Sequence, residues 1–248
     1  DAIKNPLDVR KRIGVVLQQP SYEPNLSVEK SLEKYGMMWD VDRKTRKDRT
    51  DELIDVFELQ EIRKKKNEDL SIGQRRRVQV AREFIHDMDL LFLDEPTVGL
   101  DPGARRNLLD FLKNKARDGL TIFYTTHVLT EAEYLCDEIA VINKGKILAV
   151  DSPEHLKSTF GQEKTIKIHL LDRIEKLPNL LSSIAGCKID FNAGTDIIIQ
   201  SSKAEIILSQ VLSILIENNI PIEDLSAMPT TLEEIFLKMV KEKNASNN

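Results

Sequence analysis

The chain has 248 residues, 41% of them hydrophobic and 31% charged, with a net charge of −5. That length allows one large domain or two smaller ones with proper cores, and that composition excludes a disordered chain. So modest a charge gives no global basic footprint, which argues against nucleic acid as a partner.

Two cysteines, Cys136 and Cys187, form no CxxC or metal-like cluster, so a reducing cytosol is the expected setting. No run of about 18 apolar residues is available to span a bilayer. The opening DAIKNPLDVRKR has no apolar signal core and no initiator Met, so the chain is expected to be a piece of something longer.

In chain order, Arg12–Leu17 reads as a buried strand ended by Gln18-Gln19-Pro20, and Ser27 to about Leu59 as helical. From Asp69 to Asp151 strands and helices alternate. A helix is expected from about Ser71 to His86, a strand at Leu90–Leu93, and a helix at Pro102–Asp118. A strand at Leu120–Thr125 and a helix at Leu129–Cys136 follow. Continuous apolar strands alternating with helices predict an α/β fold with a parallel sheet covered on both faces. Ile139–Ile142 and Ile147–Val150 flank a hairpin turn at Asn143-Lys144-Gly145-Lys146. Ser152-Pro153-Glu154 starts a short helix that Gly161 closes. Beyond it, strands at Lys164–Leu171, Ile189–Phe191 and Asp196–Gln200, with a helix at Lys203–Asn218, suggest a small α+β appendage of β-α-β-β-α-β order. The polar tail after about Lys241 is expected to fray.

The run LLFLDEP ends an apolar strand in two adjacent carboxylates, Asp94 and Glu95. A Mg²⁺–nucleotide site needs one carboxylate near the metal and another group to orient water, and both converge at the C-terminal end of a parallel strand. A helix-capping role for the pair is the bland alternative. Ser71 and Gln74 form a capping box whose helix start, with Gly73 beside it, would also offer backbone N–H groups to a phosphate. Asp101-Pro102 suits a helix start in the same double sense. His127 follows the strand ending Tyr124-Thr125-Thr126, and seen alone would read as a structural histidine. The triplet Arg75-Arg76-Arg77 reads as a solvated helix face.

Taken together and in order, these segments closely resemble the nucleotide-binding subunit of ATP-binding cassette (ABC) transporters. VVLQQP resembles the Q-loop, LSIGQRRR the signature motif, LLFLDEP the Walker B motif, VGLD the D-loop and TTH the switch histidine. TTLEEIFLKMV (Thr230–Val240) looks like the C-terminal extension of the ABC-2-type drug and antibiotic exporter branch. The resemblance implies a P-loop NTPase-like domain over residues 1–160, with a helical signature subdomain at about 21–86, and a small α+β domain over 164–241. It implies ATP and Mg²⁺ as ligands. Asp94 would hold Mg²⁺, Glu95 would polarise the attacking water, and Gln18 would sense Mg²⁺ and the γ-phosphate. His127 would contact the γ-phosphate. Ser71 and Gly73, with Gln74 counted beside them, would bind the nucleotide of an opposite subunit, and Asp101 would act across the dimer. Implied partners are an ABC-2-type membrane permease and a second nucleotide-binding subunit, at the cytoplasmic face of the cell membrane.

Two departures from the family pattern stand out. Ile72 replaces the usual glycine in the signature, which is expected to restrict backbone approach to a phosphate. No G-x-x-x-x-G-K-[ST] occurs in the 248 residues. The chain is therefore expected to be N-terminally truncated, inactive alone, and left with apolar sheet edges prone to association. A non-catalytic subunit that lends only its signature motif to a partner's site is the alternative. A soluble ABC protein acting on nucleic acid or ribosomes is a third, argued against by the tail.

Overall fold

A computed structural model describes residues 1–19, 21–160, 164–182, 184, 187–192, 195–201, 203–228 and 231–245. They form two compact units, 1–135 and 136–248. Among the described residues, the hairpin after residue 138 makes a two-stranded sheet of its own.

The first unit opens with α1 (Pro6–Lys11), a short helix the sequence reading missed, and β1 (Ile13–Val16). The stretch expected to be helical, Ser27 to about Leu59, holds two helices, α2 (Val28–Met38) and α3 (Arg43–Val56). Asp40 breaks them in a left-handed conformation (φ 55°), and Asp42 restarts the chain by capping Lys44 N and Thr45 N. Two 3₁₀ turns, Gln60–Ile62 and Asn67–Asp69, lead to α4 (Ile72–Glu83). Then come β2 (Leu90–Asp94), α5 (Pro102–Arg117), β3 (Thr121–Thr125) and α6 (Leu129–Leu135).

The sheet is parallel in the order β1-β2-β3, with Val15 opposite Phe92 and Phe92 opposite Phe123. Alternation sends Val16, Leu91 and Leu93 into the core at 0–1% exposure, each worth about 1.5–3 kcal/mol on transfer from water. They pack with Leu32, Ile54, Val80, Ile85 and Leu112. The opposite face is not covered as the sequence reading expected: Val15 is 45% and Phe123 58% exposed. Its central positions, Val15, Phe92 and Phe123, are as apolar as those on the buried side, so period-2 counting alone cannot tell a covered face from an open one.

The second unit begins with the hairpin β4 (Ile139–Asn143) and β5 (Lys146–Asp151). Lys144 and Gly145, both at positive φ (47° and 75°), make the tight turn that two-residue hairpins favour. α7 (Pro153–Phe160) is capped by Ser152, whose Oγ accepts from His155 N at 3.2 Å. Gly161, expected to end it, lies outside the described residues, as does Pro20. Then follow β6 (Lys164–Leu170), α8 (Leu177–Leu181), β7 (Lys188–Asn192), β8 (Asp196–Ser201), α9 (Ala204–Glu217) and β9 (Ile222–Met228). Their sheet is antiparallel, in the order β7-β8-β6-β9, a split βαβ arrangement matching the β-α-β-β-α-β expectation. Ile166, Ile168, Ile197 and Ile199 on one face meet Ile207, Val211 and Leu215 of α9. α10 (Leu232–Ala245) continues past Lys241, where fraying was expected.

Candidate functional site

Strand β2 delivers Asp94 and Glu95 to the C-terminal end of the first sheet. Glu95 adopts φ 44°, a strained region for a residue with a side chain. Its N–H donates to Thr125 O at 3.1 Å, so β3 holds the turn that aims the carboxylate. Gln18, two residues beyond β1, donates from Nε2 to Glu95 Oε2 at 2.9 Å. His127, two residues beyond β3, places Nδ1 2.9 Å from Glu95 Oε1. Three strand ends thus bring Gln18, Glu95 and His127 together. Hydrogen bonds from His127 and then Gln18 hold the Glu95 carboxyl below the usual glutamate range. Beside it, exposed Asp94 accepts from Thr125 Oγ1 at 2.5 Å.

The second group of site residues lies at the start of α4. Ser71 Oγ accepts from Gln74 N at 3.2 Å, and Gln74 Oε1 accepts from Ser71 N at 3.0 Å. The capping box expected from sequence is present, and it turns Gln74 inward on its own helix start. The first-turn N–H groups of Ile72 and Gly73 have no partner within the helix. Gly73 is pressed against the turn after β2: a Cβ there would stand 2.6 Å from Gly99 O. Asp101 caps α5, accepting from Ala104 N at 3.0 Å, which lowers its carboxyl pKa.

Arg76 joins the two groups, and here the reading of Arg75-Arg76-Arg77 as a solvated face fails. Arg76 is 1% exposed. Its guanidinium donates to Leu17 O at 2.7 Å, to Gln18 O, and at 3.4 Å to Glu95 O. Gln79 Oε1 accepts from it at 2.9 Å. The signal was available: Arg76, Gln79 and Glu83 share spacings i, i+3, i+7 on the helix face that turns inward. Sequence reasoning also missed Glu131 of α6, 3% exposed, whose carboxylate collects hydroxyls from Thr97, Tyr124 and Thr126.

The donor set suits Mg²⁺ bound together with a polyphosphate. Among the described residues no group of three or more His, Cys, Asp or Glu could hold a metal by itself. Asp94 and Gln18 would supply oxygens while phosphate and water supply the rest, as Mg²⁺ commonly requires. The free N–H groups at the start of α4 suit a phosphate oxygen.

Comparison with known proteins gives the chain a family. A family profile described as ABC transporter matches residues 3–98. The linearmycin resistance ATP-binding protein LnrL of Bacillus subtilis (strain 168) is 29% identical over 238 residues, 95% of this chain and 76% of that protein. The daunorubicin resistance ATP-binding protein DrrA3 of Streptomyces coeruleorubidus is 30% identical over 240 residues, 96% of this chain and 75% of that protein. A solved ATP-binding subunit of an ABC transporter superposes with a TM-score of 0.59 at 24% identity, covering 64% of this chain and 67% of that one. That likeness supports the P-loop NTPase-like fold. The chain belongs to the ABC transporter family, as an ATP-binding subunit whose relatives lie in the drug-resistance exporter branch.

Proposed function

We propose that this chain carries the hydrolytic half of an ABC exporter's ATP site and the signature half of its partner's. The observation that carries the reading is the convergence of Gln18 and His127 on Glu95, each at 2.9 Å. Glu95, ionised at neutral pH, would orient and polarise the attacking water. His127 would contact the γ-phosphate, and Gln18 would report its presence toward a permease. Asp94 would hold Mg²⁺, which when bound neutralises charge on the β- and γ-phosphate oxygens. Ser71, Gly73 and Gln74, with Asp101 beside them, would face the nucleotide of a second subunit, homologous or identical.

In this reading residues 1–160 serve as the cassette, 21–86 as its helical signature subdomain and 164–241 as the C-terminal domain. The subunit sits at the cytoplasmic face of the membrane against an ABC-2-type permease. Among the described residues no helix is long and apolar enough to cross a membrane, so the transport path would belong to that permease. The sequence supplies no G-x-x-x-x-G-K-[ST] to cradle phosphates. The purified 1–248 polypeptide should therefore show no ATPase above background. In the complete ATPase with its permease, Glu95→Gln should slow hydrolysis by about a hundredfold or more and let an ATP-bound dimer accumulate. Hydrolysis by Glu95→Gln at the wild-type rate would overturn the assignment.

A further inference from the structure

Glu131 sits on α6, away from the groups just assigned, yet it is 3% exposed and carries a carboxylate. Three hydroxyls converge on its Oε2: Thr97 Oγ1 at 3.0 Å, Tyr124 Oη at 2.7 Å and Thr126 Oγ1 at 3.0 Å. Arg105 Nε of α5 lies 3.5 Å from the other oxygen. Burying a carboxylate is costly unless its oxygens are satisfied, and an apolar side chain would often fill such a place with no loss of stability. What an apolar side chain could not do is tie these segments together.

Each tie ends beside the hydrolytic centre. Thr97 lies two residues after Glu95. Thr126 precedes His127, and its Oγ1 also accepts from Val128 N at 2.9 Å, which fixes the hydroxyl's direction. Tyr124 pairs with Leu93, just ahead of Asp94. We infer that Glu131 is a positioning residue, a buried acceptor that holds the Thr126–His127 segment and the Thr97 turn in register with Glu95. It touches no substrate; it acts through His127 and Glu95.

The inference rests on the reading of Glu95 and His127 as the hydrolytic pair, so the test has two independent arms. In the complete ATPase with its permease, Glu131→Ala should lower kcat by about ten- to a hundredfold, the size of effect expected when reacting groups shift by about 1 Å. KM for ATP should change by less than about threefold. Glu131→Gln, which keeps one acceptor oxygen for the hydroxyls, should recover most of the loss. Thr126→Val removes one tie without emptying the site and should give a smaller fall in kcat. It decides the matter if Glu131→Ala does not fold: an unchanged kcat overturns the inference.

The second arm needs no turnover. In the 248-residue chain, Glu95 N–H donates to Thr125 O at 3.1 Å and Val128 N–H to Thr126 Oγ1 at 2.9 Å, so both amides should exchange slowly with solvent. In folded Glu131→Ala both should exchange faster, and the amide NMR shifts of Thr97 and His127 should move. Wild-type exchange and shifts in that folded variant overturn the inference whatever the rates are; if it does not fold, the Glu95 and Thr97 amides of Thr126→Val decide in the same way. Should Glu95→Gln hydrolyse ATP normally, the reading of the hydrolytic pair has failed, and this exchange alone still decides the role of Glu131.

Discussion

Ile72 Cγ2 stands where a side chain on Gly99 would have to go: a Cβ built there would lie 2.9 Å from it. Gly99 is also held at φ 80°, a conformation that suits glycine. The bulky residue of the signature motif, 63% exposed, thus leans on the glycine of the turn after β2 and lends a hydrophobic contact to the start of α4. Its departure from the family pattern is matched by the space Gly99 leaves.

That pairing should appear as energetic coupling. Gly99→Ala meets both an unfavourable φ and the Ile72 methyl, and should cost about 2–3 kcal/mol. In an Ile72→Gly background only the φ penalty remains, so the same substitution should cost about 1 kcal/mol less. Urea unfolding of the four proteins measures the difference. Strict additivity would mean that the Ile72 methyl and Gly99 do not press on each other.

Much of this site was legible in the sequence, because strand ends and caps are local. The apolar run of β2 fixed where Asp94 and Glu95 emerge, and Ser71 with Gln74 three residues on announced its own hydrogen bonds. The parallel strand alternation and the α+β appendage were legible for the same reason. What escaped depends on partners far away in sequence. Glu131 and Thr97 are 34 residues apart, and Arg76 and Leu17 are 59 apart. A charge run looks solvated until the carbonyls it serves are in place. The break between α2 and α3 escaped because Asp40 carries no strong helix-stop chemistry, and a left-handed aspartate is common only where context selects it. The open sheet face escaped because an apolar side chain reads the same whether or not something covers it.

The inward role of Arg76 predicts an unequal response among the surface-looking arginines. Arg76→Met takes the guanidinium from the Leu17 and Gln18 carbonyls and the Gln79 amide oxygen, and of these Leu17 O keeps Gln79 Nε2 as a second donor at 3.3 Å. The loss should be about 2–4 kcal/mol, since partners stripped of a buried donor lose more than the bond's net worth. Arg106→Met removes a side chain that is 61% exposed in an i,i+4 pair with Asp110, and should cost no more than about 0.5 kcal/mol. Chemical denaturation compares them directly. Equal costs would return Arg76 to the solvated face that the sequence suggested.

His86 gives the fold an acid-sensitive element outside the candidate site. It is 5% exposed and stacked on Trp39, with ring centroids 4.3 Å apart and planes 9° from parallel. Burial is the main cause that pushes its pKa below the ordinary 6.5, only partly offset by the Ile13 backbone and Asp87, with Arg49 adding to the depression. A depressed histidine contributes stability that is present above its unfolded pKa and lost as pH falls through its folded value. Stability should therefore decline below about pH 6.5, with a slope of at most about 1.4 kcal/mol per pH unit from this one group. Buried Glu83 acts in the opposite sense. Desolvation raises its carboxyl pKa, so its contribution is largest in acid and is lost as pH rises through the folded value. Comparing His86→Phe with the wild type cancels the Glu83 contribution, because that residue is unchanged in both. The aromatic replacement keeps the stack on Trp39 and cannot take up a proton, so the gap between the two stability curves should widen in favour of His86→Phe as pH drops from 7 to 5. Parallel curves across that range would show that His86 takes up its proton as readily in the folded chain as in the unfolded one.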